Sequence, residues 1–80
     1  MSILKLNANR YDTYERDKTL FDAYETLDLG EVMEFTSSSD PTSFLNQLKE
    51  ERENKFEWEY LEKGPDQWKV AITKRYYNYI

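Results

Sequence analysis

The chain has 80 residues and a formal net charge of −5, and it contains neither cysteine nor histidine. Without cysteine there is no disulfide framework, no thiolate nucleophile and no sulfur-ligated zinc or iron–sulfur site. Without histidine the chain lacks the usual general base near neutral pH and the commonest ligand of transition metals. The acidic balance disfavours binding to nucleic acid and to anionic lipid surfaces. We therefore expect no metal site, no cofactor and no nucleic-acid partner; the alternative is a carboxylate-only Ca²⁺ or Mg²⁺ site, for which no loop shows the EF-hand spacing.

The length predicts a single domain over residues 1–80, with a core over about residues 3–74 and a C-terminal tail over residues 75–80. No apolar run approaches the roughly 20 residues of a membrane span. The N-terminal segment Met1–Lys5 also lacks the apolar stretch of a secretory signal. The expected setting is cytoplasmic, without membrane contact.

The first half of the chain predicts a strand, a helix and a second strand. Ile3–Leu6 is a short apolar run typical of a strand. Between Thr13 and Leu27, large side chains recur every three or four residues, which predicts an amphipathic helix. Asp12 is its predicted N-cap, and Gly30 is available for the positive φ that ends helices. Glu31–Thr36 predicts the second strand. The predicted buried stripe of the helix comprises Tyr14, Asp17, Leu20, Phe21, Tyr24 and Leu27.

The second half predicts a helix followed by a hairpin. In Asp40–Pro41 the aspartate is a favourable N-cap and the proline suits the first helical position, so helix two begins there and ends near Glu53. Phe56–Tyr60 and Trp68–Thr73 alternate with the two-residue period of strands. Lys63–Asp66 is the turn between them, so these strands form an antiparallel hairpin.

The order β-α-β-α-β-β predicts an α/β fold of the α+β type: a two-layer sandwich in which two helices cover one face of a four-stranded mixed sheet. The first two strands are joined through a helix, so they are predicted to be parallel with a right-handed crossover. Trp58 and Trp68 share the parity of Val70 and Ile72. Both tryptophans are therefore predicted to lie in the core.

Three segments carry a family resemblance: Gly30-Glu31, Ser39-Asp40-Pro41 and Trp58-x-Tyr60-Leu61-Glu62-x-Gly64-Pro65-x-x-Trp68-x-Val70-x-Ile72. They resemble a family of uncharacterised bacterial domains known as domain of unknown function 2249, over about Leu4 to Lys74. More distantly, the pattern is similar to sulfur-carrier proteins of the TusA and SirA type. The resemblance implies strand order 1-2-4-3, with strand four antiparallel to the others.

Two departures from these relatives bear on function. The sulfur carriers place a reactive cysteine in a Cys-Pro motif at the start of helix one, where this chain has Arg10–Tyr14 with neither residue. Sulfur transfer through a persulfide is therefore excluded. The uncharacterised family often carries Arg-His early in helix one and Asn-Asp-His-Asp-Pro before helix two. This chain has Arg16–Asp17 and Ser37–Pro41 at those places.

Ligands of open α/β sheets bind outside the carboxyl ends of the parallel strands. The candidate ligand-binding residues at that edge are Asn7, Asn9, Arg16, Asp17, Ser37, Ser38, Ser39 and Asp40. Two helix N-termini at the same edge offer amide donors to an anion. The alternative is that Asp12 and Asp40 only cap helices, that the serines form a turn, and that Asp17 pairs with Arg16 instead of transferring protons.

The tail is basic and aromatic in an acidic chain, and its Tyr76, Tyr77 and Tyr79 are candidate partner-binding residues. The alternative is a frayed end without a role. The leading functional hypothesis is a non-enzymatic accessory or protein-interaction module, monomeric or weakly dimeric, with an unidentified protein partner. The second is a small-ligand or anion-binding domain. The third is an enzyme using Asp17 or Arg16, for which no nucleophile–base pair can be named.

Overall fold

The computed structural model describes residues 3–53 and 55–75. The strands and helices follow the predicted order: β1 (Ile3–Asn7), α1 (Thr13–Thr26), β2 (Val32–Ser37), α2 (Thr42–Glu51), β3 (Phe56–Lys63) and β4 (Trp68–Lys74). A single 3-10 turn, Ala8–Arg10, replaces the loop predicted between β1 and α1. Neither α-helix in the described ranges is long and apolar enough to cross a membrane.

The sheet has the order β1-β2-β4-β3, so β2 and β4 are central and β1 and β3 are the edges. β1 and β2 run parallel, while β4 is antiparallel to both of its neighbours. Met33 and Phe35 of β2, and Val70 and Ile72 of β4, are buried with apolar side chains from both helices. The two helices therefore cover one sheet face, which confirms the predicted two-layer sandwich and its strand order.

The buried stripe of α1 differs from the predicted one. The Asp12 side chain accepts the Glu15 backbone N–H at 2.9 Å, as the capping pattern predicts. Leu20 and Tyr24 are buried as expected, but Arg16 is buried as well and Tyr14 is exposed. Residues 16, 20 and 24 are each four apart and share one face, whereas residue 14 lies about 200° around the helix from residue 16. Including Tyr14 in the buried stripe was wrong for that reason.

Helix α2 begins one residue later than predicted and ends at Glu51 rather than near Glu53. Its first backbone hydrogen bond runs from the Leu45 N–H to the Pro41 carbonyl at 3.1 Å. Pro41 therefore occupies the capping position, and its missing N–H costs nothing there. The apolar face of α2 comprises the buried Phe44, Leu45 and Leu48.

Both tryptophans lie at margins of the fold, so the prediction that they are core residues was wrong. Trp58 has the core parity, but it belongs to the edge strand β3 and stays 39% exposed. Trp68 is half-buried and packs against the β3–β4 turn. Gly64 in that turn has a φ of +56°, and a Cβ there would lie 2.7 Å from Cζ2 of Trp68. Only glycine meets both conditions without strain.

Candidate functional site

The predicted ligand edge is organised around the guanidinium of Arg16, whose side chain is only 5% exposed. Its Nε donates to Oδ1 of Asp17 at 2.9 Å. One terminal nitrogen donates to the hydroxyls of Ser39 at 2.9 Å and Ser37 at 3.3 Å, and the other donates to the Ser43 hydroxyl at 3.2 Å. A single side chain of α1 thus binds the end of β2, the loop that follows it and the first turn of α2. We call these five residues the Arg16 cluster.

The partners of Arg16 are also bonded to one another. Oδ2 of Asp17 accepts the Ser43 hydroxyl at 2.7 Å. The Ser37 hydroxyl donates to the Ser39 carbonyl at 2.7 Å and accepts the Ser39 N–H at 3.2 Å. The polar groups that were predicted to bind a ligand therefore already form hydrogen bonds with other groups of the protein. The predicted pairing of Asp17 with Arg16 is confirmed.

Burial explains why this network is so complete. A buried cation without partners costs several kcal/mol, and its burial is tolerated when a counter-charge and further acceptors surround it. Asp17 supplies the counter-charge, and three hydroxyl oxygens supply the remaining acceptors. No buried polar side-chain atom in the described part of the chain lacks a partner. The Arg16 cluster thus links the two helices and the sheet through side-chain hydrogen bonds.

The two asparagines of the predicted site lie beside the cluster, and their side chains accept hydrogen bonds from backbone N–H groups. Oδ1 of Asn7 accepts the Asn9 N–H at 3.0 Å within the 3-10 turn. Oδ1 of Asn9 in turn accepts the Ser38 N–H. These bonds connect the end of β1 to the end of β2, where the ladder between the two strands stops. Asn7, Asn9 and Ser38 are therefore brought together, but by contacts that satisfy loop amides.

Asp40 belongs to a separate contact. Its Oδ1 accepts the Thr42 hydroxyl at 2.6 Å and the Tyr60 hydroxyl at 3.2 Å. The bond from Thr42 stabilises the ionised carboxylate and holds the pKa of Asp40 below its usual range, and the bond from Tyr60 acts in the same direction. Burial raises the pKa of Tyr60, and its hydrogen bond to Asp40 raises that pKa further. Asp40 is thus a stably ionised acceptor that ties α2 to β3.

Thr42, Ser43 and Tyr60 take part in these contacts but were not among the predicted site residues, and two of them, Ser43 and Tyr60, make long-range contacts. Ser43 is a polar residue in the first turn of a helix, where serine is common as a solvated or capping residue. Tyr60 has the alternation of a core strand residue, and its pattern contains no sign that its hydroxyl would reach Asp40. Both contacts join residues 20 or more positions apart, so local patterns carry no signal for them.

The cluster offers little for catalysis. The Ser43 hydroxyl donates to a carboxylate that is already bonded to Arg16, and its oxygen accepts a bond from the same guanidinium. A serine nucleophile needs a base that is free to accept its proton, whereas Asp17 is paired with Arg16. Within residues 3–53 and 55–75, no group of three acidic side chains converges closely enough to hold a metal ion. The arrangement holds three elements together.

The family comparison covers the whole of this arrangement. A family model described as uncharacterized conserved protein, DUF2249, matches residues 5–74, which include all four strands in whole or in part and both helices. The chain belongs to the DUF2249 family. No curated protein and no solved structure matches it significantly. In this DUF2249 domain, the Arg16 cluster lies entirely inside the matched segment.

The more distant resemblance to TusA- and SirA-type sulfur carriers stays a prediction. The candidate partner residues Tyr76, Tyr77 and Tyr79 lie outside the described residues and beyond the segment that the family model matches. The last described residue, Arg75, pairs through its guanidinium with the Glu57 carboxylate of β3 at 2.6 Å.

Proposed function

We propose that this domain is a non-enzymatic protein-interaction module. It contacts its partner through side chains of the edge strands β1 and β3, on the sheet face that the helices cover. One row of paired residues across the four strands supports the proposal: Leu4, Met33, Ile72 and Trp58. Met33 and Ile72 at the centre are 0% exposed, whereas Leu4 and Trp58 at the two ends are 38% and 39% exposed. The helices thus cover the central strands and leave apolar side chains of both edge strands accessible.

The β3 end of this row has the features of an interface anchor. Trp58 packs edge-to-face on Tyr60, with 5.5 Å between ring centroids, and the Lys49 ammonium lies 5.1 Å from the centre of its ring. A tryptophan held in this way loses little side-chain entropy on binding. Tryptophan is enriched among the residues that dominate binding energies.

The Arg16 cluster supports a non-enzymatic role over the two alternatives. Its serines and Asp17 are bonded to each other and to Arg16, so no side chain there is poised as a nucleophile with a free base. The same bonds occupy the donors that a ligand would need, so no contact favours ligand binding by this cluster itself. Ligand binding at the strand-end edge stays a prediction.

Site-specific photo-crosslinking in living cells tests the proposal. A photoreactive phenylalanine analogue replaces Trp58, and in a second variant it replaces Leu29, which is 64% exposed and lies between α1 and β2. We expect a discrete crosslinked product from position 58, because an aromatic side chain there faces the partner, and none from position 29. Mass spectrometry then distinguishes a second copy of this chain from a different protein. Equal products at both positions, or none at position 58, would contradict the proposal.

A further inference from the structure

A cleft of about 170 Å³ opens between the edge strand β1, the 3-10 turn and the first half of α1. Three of the residues that line it are cationic, namely Lys5, Arg10 and Arg16, and none is acidic. This composition is unusual for a chain whose net charge is −5. A cleft lined by one sign of charge concentrates ligands of the opposite sign.

Two of these cations are uncompensated. Arg16 is paired with Asp17, as described above. Lys5 and Arg10, in contrast, take part in no ion pair and no side-chain hydrogen bond with the described residues. Both residues are exposed.

Lys5 alternates with Leu4 and Leu6 and lies in register with Glu34, so its side chain leaves β1 on the other face of the sheet. Arg10 is therefore the unpaired cation that the cleft offers to a bound group. Since Arg10 is exposed, its side chain is free to reorient toward that group.

The cleft has both apolar and polar walls, since Asn7 and Thr19 also line it. Ala8 and Leu20 are buried beneath it, so Leu6 is the aliphatic side chain that a ligand can reach. Tyr11 also lines the cleft and is partly exposed, and its hydroxyl has no hydrogen-bond partner among the described residues. Apolar walls with a few polar groups are typical of small-molecule sites. Such walls favour a ligand with an apolar body as well as a charged end.

We propose that this cleft binds a small organic anion, with its carboxylate or phosphate group at Arg10 and its apolar body against Leu6 and Tyr11. The volume limits the ligand to less than drug size, because pockets for drug-sized molecules span roughly 300–1,000 Å³. The positive charge of Arg10 fixes the sign of the ligand, and its guanidinium suits the oxygens of either head group. This site does not rest on the interaction surface proposed above.

An NMR titration of the uniformly ¹⁵N-labelled full chain tests this site with benzoate, phenyl phosphate and the neutral isostere benzamide. Benzoate or phenyl phosphate is expected to give saturable shifts of the backbone amides in residues 5–11 and at Leu20. The anion that saturates at the lower concentration identifies the preferred head group. Benzamide at the same concentrations is expected to leave these amides unshifted, because it keeps the shape of benzoate but lacks its charge.

Two charge-matched variants complete the test. Arg10→Gln is expected to weaken binding of the preferred anion about three- to tenfold, as the loss of one charge-assisted contact implies. Lys18→Gln removes the same charge from an exposed lysine of α1 that pairs with Asp22 and does not line the cleft, so its affinity should stay within about twofold of wild type. Equal weakening in both variants, equal shifts with benzamide, or no saturable shift with either anion would overturn the proposal.

Discussion

The variant Arg16→Met is expected to lose about 3 kcal/mol of its free energy of unfolding, at the low end of the range for breaking a buried ion pair. Methionine fills much of the same space, so the loss does not come from a cavity. It comes from Asp17 and the three serines, which lose a shared donor, while Asp17 keeps some access to water. Urea denaturation followed by tryptophan fluorescence measures the change.

Three further variants separate this effect from a simple loss of charge. Arg16→Lys keeps the charge but not the planar fork of donors, so it should still lose more than about 1 kcal/mol. Arg10→Met removes an exposed arginine and should change stability by less than about 0.5 kcal/mol. Adding Asp17→Asn to Arg16→Met should restore part of the loss, because the unpaired carboxylate is removed. An Arg16→Met variant as stable as Arg10→Met would show that the cluster does not stabilise the fold.

A larger loss, about 3–5 kcal/mol, is expected for Phe44→Ala. Phe44 is fully buried on α2, and its ring meets Phe35 of β2 edge-to-face with 5.6 Å between centroids. Truncation would leave a cavity between α2 and the centre of the sheet. Small domains have total stabilities of roughly 5–15 kcal/mol, so this variant should be partly unfolded at moderate temperature. Thermal and urea denaturation give the measurement.

Trp58→Ala is the matched control for this prediction. It removes an even larger ring from a residue with the same core-facing parity, but one that is 39% exposed at the edge of the sheet. Its cost should be below about 1.5 kcal/mol, since less apolar surface returns to water and no enclosed cavity forms. If Trp58→Ala destabilised the domain as much as Phe44→Ala, Trp58 would be a core residue and the proposed interaction surface would lose its anchor.

The topology was predictable because its signals are local. The spacing of apolar residues in 13–27 and the alternation in 56–60 and 68–73 each depend on a single element, and they specify helix and strand without knowledge of the rest. The parallel pairing of β1 and β2 followed from the helix between them. The order of the other two strands rested on the family resemblance, since a hairpin alone does not determine which of its strands pairs with β2.

Burial across the sheet was not predictable in the same way. Alternation assigns Leu4, Met33, Ile72 and Trp58 to one face, but it does not say how far the helical layer extends sideways. The lateral position of each strand decides this, and it depends on contacts between distant segments. The central residues of the row are therefore buried, whereas its end residues are exposed despite equal hydrophobic character.

The role of the candidate site also depended on long-range contacts. The sequence placed Arg16, Asp17 and the serines at one edge, and this juxtaposition is what the structure shows. Whether such residues are available to a ligand or hydrogen-bond to one another depends on distances between side chains 21 to 27 positions apart. Ser43, which closes the network, lies on a helix whose start was predicted one residue too early.

The Arg16 cluster is a closed structural network, and hydrogen exchange at the arginine Nε–H groups can verify this. In the free protein, NMR can compare Arg16, whose Nε–H is bonded to Asp17, with the exposed Arg10. We predict that Arg16 exchanges at least about tenfold more slowly than Arg10, because its exchange requires local opening of the structure. Exchange at Arg16 as fast as at Arg10 would mean that the cluster is open to solvent and is not a closed network.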